Sequence, residues 1–377
     1  MNVKIAVLLL CFIPVITLAQ ENVLKLELEF GAENLPDEYL LNSPDNVLSD
    51  NSGKIYVSDS KDPYVKIFDG NGNPLKILGG RGEGPGEFGR RGYTMSLSPQ
   101  GYFSAFDALY LYNIFDNEYN LIESKQVRTL PIFSMANTSI SSGKALLSKL
   151  VPMDKDRRIY NIQYSDTGMH YSIYYQGKDG NIERISHIVD DDRKSGIREV
   201  WYNTWDILPD NSIVISSSEF DVKIEKDKMV YTLRILSPED GSIDTITRTT
   251  GLMEIPAETK EQTIALWKDR ADRSKTASSI ERYNTIKKHY DNNKYIKPID
   301  KILTDRNYIF VFTPGKNETE KILVDVFDSE SLSYLRSVDF PFIPMDIQNE
   351  YVFNIQKNSE GFFEVFKYRI DPAVYAK

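Results

Sequence analysis

The side chains best equipped for chemistry in this chain stand far apart. None of its three histidines, His170, His187 and His289, has a second histidine at i+3 or i+4, and no H-E-x-x-H occurs. A zinc-type site therefore has no local support. Asp45, Asn46, Asn203 and Asp300 are of the type that binds a hard cation and polarises a carbonyl, but they would have to converge from separate segments. Asp69-Gly-Asn-Gly-Asn73 opens like a calcium loop. Pro74 then stands where the sixth-place glycine belongs and Gly80 where the twelfth-place glutamate belongs, so it reads as a turn. There is no G-x-S-x-G elbow, and a hydrolytic triad would need members from distant parts of the chain.

Residues 79–92 (GGRGEGPGEFGRRG) hold seven glycines in fourteen positions. A phosphate cradle needs such a loop to open a helix, usually with Lys-Ser/Thr. The segment after this loop, from Tyr93 to Leu97, has strand character instead. The loop therefore reads as a sharp connection between two units, where glycine supplies unusual dihedrals.

Those units recur. Six candidate hairpins begin near Leu48, Leu97, Ile140, Leu208, Leu303 and Asp346, each with turn-forming residues between strand-like runs. A second hairpin follows each of the first five, with Phe68, Phe115, Tyr175, Leu236 and Phe327 in equivalent places, 47, 60, 61 and 91 residues apart. Two hairpins make a four-stranded antiparallel blade. The expected fold is all-β, a six-bladed β-propeller. The sixth unit runs out of chain after Phe362–Asp371, while an orphan alternating strand, Val23–Phe30, precedes the first. The N-terminal strand is therefore expected to close the last blade and remove an exposed edge. The long last interval places an insertion at 257–291, between blades four and five. Thr259/Gln262 and Ser278/Glu281 have capping-box spacing. Ile264, Trp267 and Ala271 form one stripe, and Ile280, Tyr283, Lys287 and Tyr290 a second, as in a helical pair. Such a pair is either a cap on the propeller surface or a lid or docking element over one face.

Residues 1–20, with Lys4, an apolar run from Ile5 to Ile16 and small residues near Ala19, read as a secretory signal peptide. The expected organisation is that leader followed by one propeller domain, 21–377, located in the periplasm or outside the cell. No other window is apolar enough to span a membrane. Cys11, the only cysteine, lies in the leader, so the exported part has no disulfide or thiolate chemistry. Removing Lys4 from 45 basic residues leaves 44 against 55 acidic, a net charge of −11 that disfavours a nucleic-acid partner.

The glycine loop, preceded by Ile55-Tyr-Val-Ser-Asp59 and Ile67-Phe-Asp-Gly-Asn-Gly, resembles the NHL-type repeat. More broadly the chain is similar to secreted bacterial six-bladed propellers of the TolB-like class. The match is sharp over residues 47–120 and weaker beyond. The resemblance implies an exported propeller used for binding and carries over no catalytic set.

Propellers bind ligands where equivalent loops converge at the channel mouth. The segments preceding the inner strands place Arg90, Arg91, Tyr93, Tyr202, Asn203, Trp205 and Asp300 there, with Tyr93 and Trp205 alternatively packing between blades. The expected function is non-catalytic binding of a protein, peptide or glycan by one face of the disc, with no cofactor and no assigned metal. A component of a cell-envelope assembly is a variant of this. The alternative is a metal-dependent lactonase, hydrolase or lyase holding a divalent cation in the channel through Asp45, Asn46, Asn203 and Asp300.

Overall fold

Short alternating strands punctuated by Asp, Asn and Gly turns can bury two apolar faces only by stacking against like units. The computed structural model shows that arrangement. It describes residues 23–32, 35–59, 61–88, 93–107, 110–138, 145–165, 169–190, 203–217, 220–314 and 320–376, so the expected leader at 1–20 lies outside the described residues. After β1 (Leu24–Phe30), blade one comprises β2 (Pro44–Ser49), β3 (Ile55–Asp59), β4 (Tyr64–Phe68) and β5 (Pro74–Gly79). Blade two comprises β6 (Thr94–Leu97), β7 (Phe103–Phe106), β8 (Leu111–Phe115) and β9 (Leu121–Gln126), and a short helix, α1 (Pro131–Met135), follows it. Blade three is β10 (Ala145–Pro152), β11 (Arg158–Ser165), β12 (Met169–Gln176) and β13 (Ile182–Asp190).

Blade four is β14 (Asn203–Ile207), β15 (Ile213–Ser217), β16 (Val222–Glu225), β17 (Lys228–Leu236) and β18 (Ile243–Thr250). Here the second strand of the pattern is broken in two. β15 pairs with the end of β17 and β16 with its beginning, so this sheet has five strands. Then come α2 (Ala257–Ser274) and α3 (Ala277–Asn292). Blade five is β19 (Lys301–Asp305), β20 (Tyr308–Phe312), β21 (Ile322–Asp328) and β22 (Ser333–Phe340). Blade six is β23 (Asp346–Gln348), β24 (Tyr351–Lys357) and β25 (Phe363–Ile370), and β1 completes it. β1 lies antiparallel to β25 from Leu24↔Ile370 to Phe30↔Val365, as the orphan strand required.

The core is divided into six apolar wedges, one between each pair of neighbouring blades. Tyr56, Ile67, Met95 and Phe103 fill the first, and Phe106, Ile114, Leu150 and Tyr160 the second. The sixth joins Phe353 and Val365 of blade six to Val47, Ile55 and Phe68 of blade one, with Phe30 of β1 against Phe68 at 4.8 Å between ring centroids. That wedge makes the ring continuous. The repeated aromatic position is a core position, since Phe68, Phe115 and Phe327 are all buried. The aspartate after each of them folds the following turn. Asp69 accepts the Asn71 and Asn73 amides at 2.9 and 2.8 Å and the Asn73 side-chain amide at 2.8 Å. Asp116 does the same with Glu118 and Asn120. These are Asx turns, and the calcium-like spelling is turn chemistry.

The glycine loop is the crossover from β5 to β6, and its described part is tightly stapled. At Gly79 φ is +101°, and a Cβ would lie 2.4 Å from the Phe88 ring and 2.8 Å from the Pro63 carbonyl, so only glycine fits. Gly84 donates its backbone N–H to the Glu87 carboxylate at 2.6 Å, and buried Asn113 of β8 bonds both Gly86 N–H (3.0 Å) and the Glu87 carbonyl (2.7 Å). In the described part of the loop, Gly84 N–H is taken by the loop's own Glu87 carboxylate, and the Gly80, Gly86, Glu87 and Phe88 N–H groups by carbonyl oxygens of the protein.

The insertion is a helical hairpin, as expected, though its details differ. Pro256 precedes α2 without a side-chain cap, and Gln262 bonds Glu258 instead of a capping partner. Thr276, two residues ahead of the expected Ser278, caps α3 by accepting the Ser279 amide. Ile264 and Trp267 of α2 meet Ile286 and Tyr290 of α3 and Ile255, in a cluster separate from the six wedges. Ile280 is 46% exposed, so the buried face of α3 lies along Ile286 and Tyr290. A bridge between Glu254 and Tyr295, with Ile255 N–H to Lys294 O and Ile296 N–H to Met253 O, ties the base of the hairpin.

Candidate functional site

Every inner strand (β2, β6, β10, β14, β19, β23) begins at the end of the disc reached from the outer strand of the preceding blade. The mouth residues expected from sequence belong to that end. Arg90, Arg91 and Tyr202 lie outside the described residues, as does the Asn203 side chain, although Asn203 backbone opens β14. Tyr93 is partly buried. Its ring lies 4.8 Å from Phe88, its hydroxyl donates to the Tyr64 carbonyl, and burial holds its phenol above the ordinary tyrosine range. Trp205 is buried between blades three and four with Ile159, Ile173 and Ile213, and Lys149 Nζ sits 4.2 Å above its ring. Asp300 is exposed just before β19, with its backbone N–H on Phe312 O at 2.7 Å. Of the cation ligands considered, Asp45 accepts from Ser58 Oγ. Among the described residues no group of three or more His, Cys, Asp or Glu is placed to hold a metal.

A different polar set converges deeper, on the strands themselves. Strand alternation turns Asp206 away from the wedge that holds Trp205. Lys149 of β10, Asp206 of β14, Lys301 of β19 and Asp346 of β23 alternate in charge from blade three to blade six. Each reaches the next blade. Lys149 covers Trp205 of blade four. Asp206 accepts the Thr304 backbone N–H (2.8 Å) and hydroxyl (3.1 Å) of blade five. Lys301 donates to the Pro344 and Met345 carbonyls ahead of blade six at 2.8 and 2.9 Å. Asp346 accepts the Ser49 N–H of blade one at 2.6 Å, and Asn51 N–H then bonds Pro99 O, carrying the contact to blade two.

Burial dominates the electrostatics. It pushes the Asp346 carboxyl up to about 7, with Asp206 adding to the rise and the Ser49 amide and Lys301 opposing it. Burial likewise lowers the Lys301 ammonium, against the pull of Asp346 and Asp206. Around these groups Ser49, Ser98, Thr304 and Gln348 line a cavity of about 40 Å³. That volume suits a water-sized group, whereas organic ligands occupy roughly 300–1,000 Å³. Sequence reasoning directed at loops misses this set, because its members sit within strands. The available signal was a charge beside apolar residues in a strand-like run, as in Trp205-Asp-Ile and Lys149-Leu-Val.

No family model matches the chain, and no curated protein matches it. Solved structures do. A candidate exported protein of Bacteroides fragilis matches at 11% identity and a TM-score of 0.51, over 93% of this chain and 96% of that one. A member of the DUF4221 family from Bacteroides vulgatus matches at 14% identity and 0.48, over 92% and 98%. A streptogramin B lyase matches at 11% and 0.35, over 92% and 98%. At such identities the likeness is one of fold.

Proposed function

We propose that this chain is an exported, non-catalytic β-propeller of NHL-like, TolB-like type. On this reading it binds a protein, peptide or glycan at the end of the disc where the inner strands begin. The observation that carries the reading is how the axial charged groups are used. Each is engaged in holding the next blade, around a cavity too small for an organic substrate. The end bearing Tyr93 and Asp300, by contrast, carries a helical hairpin with its own apolar cluster, an elaboration the ring does not need in order to close.

The test is a binding screen of the exported chain against glycan and peptide arrays. Two variants accompany it: one with residues 254–295 replaced by a short turn, and Asp300→Ala. Binding that weakens at least tenfold in the shortened variant, with the thermal midpoint kept, supports the assignment. Elemental analysis and a lactone-hydrolysis assay run alongside. A stoichiometric divalent cation with turnover would replace this reading with the metal-dependent alternative.

A further inference from the structure

A cavity of about 500 Å³ lies between blades three and four, at the end of the disc where the inner strands finish. Its walls come from two hairpin turns, residues 177–181 between β12 and β13 and residues 237–242 between β17 and β18, and every residue of both turns is described. Arg157, in the turn between β10 and β11, joins them. Blade one makes the corresponding contact differently. Lys54, just before β3, donates Nζ to the Asn117 backbone carbonyl in the outer turn of blade two at 3.2 Å, so that turn is held by its main chain. Arg157, just before β11, instead reaches the side chain of Glu239 in the outer turn of blade four, with its Nε on Asp154 at 2.7 Å. The turn of blade four therefore stands off by the length of a glutamate, and a recess is left between the blades.

The recess is set before anything enters it. Arg157 is buried, and the buried Tyr175 hydroxyl also accepts from it. Asp179 accepts the Asn181 backbone and side-chain amides at 3.0 and 2.5 Å, and Gly177 N–H bonds Asn181 O at 2.9 Å. In the facing turn Asp240 accepts the Ser242 N–H and hydroxyl at 3.0 and 2.8 Å. A ligand entering walls already ordered bears little of the cost of ordering them. The volume lies within the roughly 300–1,000 Å³ of organic-ligand sites.

The lining selects the chemistry of the occupant. Carboxylates of Asp179, Glu183 and Glu239 stand beside the cations Arg157 and Lys178. Among the described residues Lys178 and Glu183 make no side-chain bond, and Glu239 uses one oxygen only. An anion would meet three carboxylates, and a bare cation would meet two positive groups, with no trio of ligands placed for a metal. An apolar molecule would leave the charged rim unpaired. A peptide backbone spreads single donors and acceptors along its length, whereas this recess gathers both kinds around one cavity. A neutral molecule rich in hydroxyls answers both signs at once, since each hydroxyl can donate to a carboxylate and accept from a guanidinium, ammonium or amide. Its C–H faces have Ile182, Pro238 and the Tyr175 ring to lie against. We propose that this recess binds a neutral saccharide of one or two rings. It lies at the opposite end of the disc from the binding end described above and stands independently of it.

The probes are glucose, galactose, mannose, N-acetylglucosamine, maltose, cellobiose and lactose, screened on the exported chain by saturation-transfer NMR and titrated by calorimetry where they bind. At least one should bind, with an affinity that raised salt leaves unchanged because the ligand carries no charge. Glu239→Ala removes the wall that Arg157 holds and should weaken binding about tenfold or more, the loss of one charge-assisted hydrogen bond. Lys178→Trp, at an exposed turn position, fills the recess and should abolish binding with the thermal midpoint kept. Hydrogen exchange should slow over residues 177–183 and 237–242 when the sugar is added. Silence across the whole panel overturns the proposal, as does a sugar bound equally by the parent and both variants. Inorganic phosphate, calcium or an array peptide bound in place of sugar, and lost in Lys178→Trp, overturns it in favour of that ligand. A sugar lost when residues 254–295 are shortened but kept in both variants sinks this site and leaves the proposed function standing.

Discussion

At the scale of single residues, the axial charges do mechanical work that leaves an electrostatic trace. Asp346 is raised from the ordinary aspartate value of 3.8 to about 7, chiefly by burial. The folded chain therefore holds a proton that the unfolded chain releases between those two values. By linkage, folding stability from this group is fully present below about pH 4 and is lost as the pH rises through 7. Asp346→Asn keeps an acceptor for Ser49 N–H but cannot ionise. It should remove the fall in stability between pH 4 and 7, and should be more stable than the parent at pH 8 by on the order of 4 kcal/mol. Urea unfolding at a series of pH values measures this. An unchanged slope in Asp346→Asn would mean that another group whose pKa rises on folding sets it.

At the scale of elements, the glycine crossover depends on one side chain from outside it. Asn113 of β8 satisfies Gly86 N–H and the Glu87 carbonyl together. Asn113→Ala strands both in a buried place and should cost about 1–3 kcal/mol, read as a lower thermal midpoint, with the far-ultraviolet spectrum kept. This crossover was legible in the sequence because glycine density and the strand character after it are local facts. So were the blades, through the recurring aromatic and its Asx turn, and so was the orphan strand now lying as β1 beside β25. The break between β15 and β16 was not legible. It depends on β17 being long enough to serve two partners, which the spacing of hairpins does not encode. The face of α3 was misjudged for a similar reason. Ile280 fits the helical period as well as Ile286 does, and only the crossing of α2 decides between them. Lys149, Asp206, Lys301 and Asp346 were invisible as a set because alternation tells which way a side chain turns, but not what the next blade offers it.

At the scale of the whole molecule, stability is shared among six interfaces, and the one joining blade six to blade one is made by both ends of the chain. Removing residues up to Gly31 strips Leu24 and Phe30 from two apolar wedges and uncovers the edge of β25. The shortened chain should melt at least 10 °C lower, since two large buried side chains contribute roughly 1.5–3 kcal/mol each, and it should form concentration-dependent aggregates in light scattering. A monomeric, equally stable product would show that the other five interfaces suffice.

The pairing of β1 with β25 also governs timing. A ribosome delivers Leu24 346 residues before its partner Ile370, so β1 must wait for β25 before it can pair. Contacts so remote in sequence form slowly. Until they form, blade six lacks its outer strand and the ring of blades is an unclosed arc.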